Sequence, residues 1–163
     1  MTRFNIFLAF LLLPLVAVAD CGKRWTVEQW SVAQIAYHAG EPYGYGYTMA
    51  ALVERESFVG PYVIRHNIKD GQEGSWGIGH VQLTTAMQLE NYTNLYKARA
   101  ELVHRMVSDD VYAAELSARY LAHHIERRGW YNGVRRYNGG SRLYADHVTK
   151  RALQLQRCNL FNN

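Results

Sequence analysis

Long apolar runs, clustered charge of one sign, proline and cysteine are all scarce in this 163-residue chain, and each scarcity removes a class of protein. Only three prolines occur, and after residue 22 there is no Pro-, Gly- and Ser-rich tract, internal repeat or low-complexity segment, so one domain is expected. Eighteen Lys and Arg against 14 Asp and Glu leave a net charge of only +4, without the clustered basic run that marks nucleic-acid binding. His123, His124 and His147 have no Cys or carboxylate partners at zinc spacing, so neither a metal nor another cofactor is expected. What the chain has in excess is rings with a polar tip, 12 Tyr and 4 Trp, which suit a groove for polar, flat or sugar-like ligands. Trp25, Trp30 and Trp130 read as core or rim, whereas Trp76, inside a glycine turn, is a candidate for stacking on a ligand.

The longest apolar run, Ile6 to Ala19, follows Arg3 and closes on the small residues Ala17-Val18-Ala19, the pattern of a cleaved secretory signal. At 14 residues it is shorter than the roughly 18 to 20 needed for a permanent membrane helix. Secretion or a periplasmic location is therefore expected, with an uncleaved N-terminal anchor as the alternative. A lipoprotein signal fits less well, because Asp20 rather than a small residue precedes Cys21. Loss of residues 1–19 removes only Arg3 among the charges, leaving 17 basic and 14 acidic side chains on residues 20–163, a net +3 that favours anionic polymers such as cell-wall material. Cys21 and Cys158 are the only cysteines, and in an oxidising compartment they would join. Closing so long a loop stabilises a fold by roughly 4 to 5 kcal/mol in the chain-entropy view.

Strand signals are weak apart from a short hairpin around residues 62–83, and the class expected is mainly α, with at most a very small sheet. Thr26 with Gln29 forms a capping box for a helix to about Ala39, which Gly40 and Pro42 end. Further helices are expected at Thr48–Ser57, Thr84–Asn91, Leu95–Val107, Asp109–Arg128 with Ser108 as cap and Gly129 as stop, and Arg142–Gln156. In the longest of them Val111, Ala114, Ala118, Leu121 and Ile125 form one apolar stripe.

One stripe contains a misfit. Met49, Leu52, Val53 and Glu56 stand at i, i+3, i+4 and i+7, so an otherwise apolar face carries a carboxylate near its C-terminal end, while Glu54 and Arg55 point elsewhere and read as solvated. A carboxyl in a low-dielectric wall resists ionisation, which is what a general acid working near neutrality requires. The bland alternative is a carboxylate that emerges at the helix end and binds a loop amide or an arginine.

Three blocks bear on that choice. Val53, Glu56, Ser57, Val59 and Pro61 fall on the pattern E-S-x-apolar-x-P with its preceding aliphatic residue. Gly74-Ser75-Trp76-Gly77-Ile78-Gly79-His80-Val81 with Thr85-Ala86 follows a small-residue turn that usually ends in Gln. Ala118-Arg119-Tyr120-Leu121, then Tyr137-Asn138-Gly139-Gly140 with Tyr144 and Val148, follow an A-x-Y-L helix leading to A-Y-N-x-G and a later Tyr. In order and spacing these blocks resemble the catalytic domain of lytic transglycosylases in the lysozyme-like superfamily, over roughly residues 30–153. His80 in place of the usual Gln and Arg136 in place of a small residue are departures.

The resemblance implies an α+β lysozyme-like catalytic domain over residues 20–163, monomeric, acting on peptidoglycan glycan strands without nucleic acid, cofactor or metal. It implies Glu56 as the single catalytic carboxyl, acid and then base, in cleavage between N-acetylmuramic acid and N-acetylglucosamine with formation of a 1,6-anhydro sugar. Ser57, Trp76, Gly77, Ile78, Gly79, His80, Tyr137 and Asn138 would line the substrate site. For Ser57, Gly77, Gly79 and Asn138 the structural alternatives of a helix-end hydroxyl, a tight hairpin and a turn residue stay open. A hydrolytic muramidase similar to goose-type lysozymes is the rival, with Asp70 or Glu73 activating water. An inactive wall-binding factor is the reading from another class.

Overall fold

The computed structural model describes residues 25–60, 63–65 and 74–161, so the expected signal at residues 1–19, together with Cys21, Asp70 and Glu73, lies outside the described residues. The fold is mainly α with a small three-stranded antiparallel sheet, the class expected from sequence.

Helix α1 (Val27–Gly40) begins as its capping box predicts, with Thr26 Oγ1 accepting from Gln29 N and the Gln29 side chain accepting from Thr26 N. A single 3-10 turn (Glu41–Tyr43) leads to α2 (Gly46–Ser57), which starts two residues earlier than expected. Helix α2 is buried on nearly every side, with Met49, Leu52 and Val53 fully covered. Burying each such side chain contributes about 1.5 to 3 kcal/mol. The helix stops because Phe58 and Val59 both take positive φ, 58° and 56°.

Strands β1 (Ile64–Arg65), β2 (Ser75–Trp76) and β3 (Val81–Gln82) follow in sheet order, with Trp76 opposite both Ile64 and Val81. Helix α3 (Leu83–Leu89) then precedes a continuous helical rod from Leu95 to Ser108, made of α4 (Leu95–Ala98), a π turn (Arg99–Val103) and α5 (His104–Ser108). Helix α6 (Asp110–Arg128) is the spine of the molecule. Its Ala113, Ala114, Ala118, Leu121 and Ile125 enter the main core with α1 and α2, and its Tyr112 and Leu116 enter a smaller core with Val81, Leu83, Ala86, Leu102 and Met106. Helices α7 (Trp130–Tyr137) and α8 (Arg142–Arg157) close the main core.

Several expectations are corrected here. Asp109, not Ser108, caps α6: its carboxylate accepts from Tyr112 N at 2.9 Å, while Ser108 Oγ donates back to the His104 carbonyl. Val111 is 51% exposed, because α6 turns that position past the edge of the apolar stripe. Helix α7 went unpredicted, since Gly129 ends α6 and a Gly lies inside the segment at 133. The short side of Gly133 is what lets α7 cross α6, for a Cβ there would meet Ile125 at 2.5 to 2.7 Å. Glu54 is not simply solvated; it accepts from Arg151 Nε at 2.6 Å and ties α2 to α8.

Trp25, Trp30, Tyr37, Tyr47 and Phe161 stack into one aromatic cluster that pins the chain beyond α8 onto α1 and α2. Cys158, at the C-cap of α8, is disulfide-bonded. Among the described residues no helix is long and apolar enough to cross a membrane. With Asp109 as the cap, Asp109→Ala is expected to lower unfolding free energy by about 1 kcal/mol in urea titrations, whereas Ser108→Ala stays within about 0.5 kcal/mol of the parent.

Candidate functional site

Glu56 sits on the last turn of α2, and its side chain is only 5% exposed. Burying a carboxylate requires polar partners in place of the lost water. Asn138 Nδ2 donates to Oε1 at 3.4 Å, and His80 Nδ1 meets Oε2 at 3.3 Å. The Arg65 guanidinium stands 4.0 Å from the same Oε2, on a side chain that is 57% exposed. The Tyr144 hydroxyl lies beside the carboxylate without reaching hydrogen-bond geometry.

Each partner comes from a different element, held by its own local cause. His80 closes the four-residue turn between β2 and β3, where Gly77 takes φ 74° and His80 N donates to the Gly77 carbonyl at 3.0 Å. Asn138 is the C-cap of α7, and the chain reverses through Gly139 and Gly140, both at positive φ. A buried hydrogen bond joins the two walls: Tyr137 Oη donates to the Gly79 carbonyl at 2.7 Å. Burial first, and then the nearby Glu56 charge, push the Tyr137 phenol far above its ordinary range, and the same two causes act on Tyr144. Both hydroxyls therefore keep their protons at any physiological pH; Tyr137 spends its own on Gly79, and Tyr144 holds one it can donate.

Two cavities flank the carboxyl. One, of 440 Å³, is lined by Glu56, Arg65, His80, Gln82, Thr85, Tyr120, Tyr137 and Asn138 among others. The other, of 360 Å³, runs past Arg55, Ser141, Leu143 and Tyr144, and it shares Glu56, Arg65 and Asn138 with the first. Glu56 thus stands at the junction of a polar groove, where an elongated ligand crossing from one cavity to the other passes over it. A larger cavity, of 770 Å³, lies between α1 and α6 and shares no lining residue with these two. The Glu90–Arg119 ion pair occupies its wall. Chemistry rather than volume places the site at Glu56.

Of the residues singled out in the sequence, Glu56, His80, Tyr137 and Asn138 converge, and Gly79 joins them through its carbonyl. Ser57 does not: it is fully buried, donates to the Val53 carbonyl at 3.1 Å and accepts from Gly60 N, the helix-end alternative. Trp76 packs on the smaller core and Ile78 is fully buried, so neither lines the groove. Gly77 is buried and spends its N–H on the Val63 carbonyl. Arg65, Gln82, Thr85, Tyr120 and Tyr144 are among the lining residues the sequence reading missed as site residues. Thr85, Tyr120 and Tyr144 stood in the matched blocks, which was the available signal, whereas nothing in the pattern around Arg65 marks it. Among the described residues no group of three His, Cys, Asp or Glu side chains converges as a metal site.

The chain matches no protein-family model, no curated protein and no solved structure. The site is therefore read from its own geometry. That geometry leaves no room for a side chain at position 79, where a Cβ would collide with Ser117 and stand 3.0 Å from the Tyr137 hydroxyl. Gly79→Ala is expected to destabilise by about 1 to 3 kcal/mol. In urea titrations the double variant Gly79→Ala/Ser117→Gly should be less destabilised than the sum of its single changes, because the clash partner is gone.

Proposed function

We propose that this protein is a peptidoglycan lytic transglycosylase in which Glu56 is the only catalytic carboxyl. The observation that carries the reading is a 5% exposed glutamate at the junction of two polar cavities, with amide, imidazole and phenol groups around it. Among the described residues no other carboxylate lines either cavity; Asp70 and Glu73, the rival reading's carboxylates, lie outside those residues. The blocks around Glu56, Gly77 to His80 and Tyr137 to Gly140, which resemble that family in order and spacing, support the same conclusion.

In this mechanism a glycan strand lies along the groove with the bond after N-acetylmuramic acid over Glu56. The protonated carboxyl gives its proton to the glycosidic oxygen as the C1–O bond breaks and positive charge develops at C1. The C6 hydroxyl oxygen of the same muramic ring then attacks C1, and its proton passes to the Glu56 carboxylate, restoring the acid. A 1,6-anhydro sugar leaves and no water is consumed. An internal nucleophile already held near C1 removes the need for a second carboxylate to activate solvent. Asn138 and His80 keep the carboxyl aimed across the groove, and the Tyr144 hydroxyl stands ready to stabilise its ionised form between the two proton transfers. A secreted or periplasmic setting, a monomeric state and the disulfide of Cys158 with Cys21 belong to the same proposal.

Glu56→Gln preserves shape and hydrogen bonding but removes the transferable proton. Turbidity clearance of purified cell walls should fall about a thousandfold in that variant, with an unchanged circular dichroism spectrum. Lysis at the parental rate would remove Glu56 from the chemistry.

A further inference from the structure

The turn through Asn138 to Gly140 is the partition between the Glu56 groove and a neighbouring cavity of 440 Å³ lined by Arg128, Asn132, Arg135, Arg136 and Gly140. Three guanidinium groups and no carboxylate face one space. Arg128 comes from the last turn of α6, and Asn132, Arg135 and Arg136 stand at i, i+3 and i+4 on α7, so the sharp break at Gly129 brings the two helices' arginines together. None of these arginines forms an ion pair among the described residues. Arg135 Nε donates to the Gly140 carbonyl at 2.6 Å, which fixes the guanidinium against the turn and uses only one of its five donors. Arg136 lines both this cavity and the Glu56 groove, so the two spaces are contiguous along one side chain. The positive field is felt nearby: burial, His123 and then Arg128, Arg136 and Arg127 hold His124 below the usual imidazole range.

Like charges gathered without counter-charge repel one another, and an anion relieves that repulsion. The rigid fork of arginine binds carboxylates two-pronged. In the substrate proposed above, the lactyl group of the muramic ring is the attachment point of a carboxylate-bearing peptide, and the muramic ring is the one beside the cleaved bond. We infer that the arginine cavity binds the carboxylates of this stem peptide and so makes the enzyme selective for peptide-bearing strands over bare glycan. The inference rests on the proposed muralytic function. Binding energy from this remote group would be realised as faster cleavage of the attached sugar, in kcat/KM.

The test compares glycan strands that carry stem peptides with strands stripped of them by an amidase, the lactyl carboxylates exposed by that hydrolysis being capped as methylamides. The parent protein should cleave peptide-bearing strands about tenfold more efficiently, and Arg128→Glu should lose that preference while cleaving stripped strands as before. Arg128→Gln, a milder change on an exposed side chain, should lose part of it. Equal cleavage of both strands by the parent protein, or an equal loss on both in Arg128→Glu, overturns the inference and leaves the muralytic function standing. If neither strand is cut, that function fails. The cavity is then judged with free stem peptide: amide NMR shifts at Asn132 and Arg135 that vanish in Arg128→Glu support it, and absence of shifts in the parent protein overturns it.

Discussion

A carboxyl group removed from water must be given replacement partners, and the site is organised by how Glu56 obtains them. One oxygen takes the Asn138 amide, the other takes His80 with Arg65 behind it, and Tyr144 waits alongside. These partners come from β1, the β2–β3 turn, the end of α7 and the start of α8. Keeping them in place requires the two sides of the groove to hold a fixed separation, which the buried hydrogen bond from Tyr137 to the Gly79 carbonyl enforces. His80 and Asn138, 24 and 82 residues from Glu56 in sequence, thereby join it in one polar shell.

The scaffold explains why such a shell can be rigid. Helix α6 contributes to both hydrophobic clusters, so the small sheet with α3 and the main helical body are not independent lobes joined only at the site. Ser117, on the α6 face below Gly79, donates to the Ala113 carbonyl and leaves space only for a glycine above it. Packing of this kind fixes the turn that carries His80 without asking His80 itself to contribute stability. The positive φ of His80, 51°, is the sort of backbone strain that a well-packed surround sustains.

Much of this was legible in the sequence, for identifiable reasons. The capping box of α1, the stripe of α2 with its misplaced carboxylate and the glycine stop of α6 are local signals, and local signals survive in one dimension. Glu56 was conspicuous because burial of Met49, Leu52 and Val53 fixes the face on which position 56 must fall. Ser57 misled for the complementary reason: adjacent in sequence, it lies 100° around the helix and bonds its own backbone. Helix α7 was hidden because its glycines read as punctuation, although Gly133 is there for close packing on Ile125. Arg65 and the convergence of arginines across Gly129 are properties of tertiary contact alone, and no periodicity announces them.

In the proposed reaction the attacking oxygen belongs to the sugar. Digestion of purified peptidoglycan in water enriched in heavy oxygen, followed by mass spectrometry of the released fragments, addresses this directly. The account predicts muramic ends that are one water lighter than hydrolysis products and carry no label. Reducing muramic ends bearing heavy oxygen at C1 would contradict it and would establish attack by solvent.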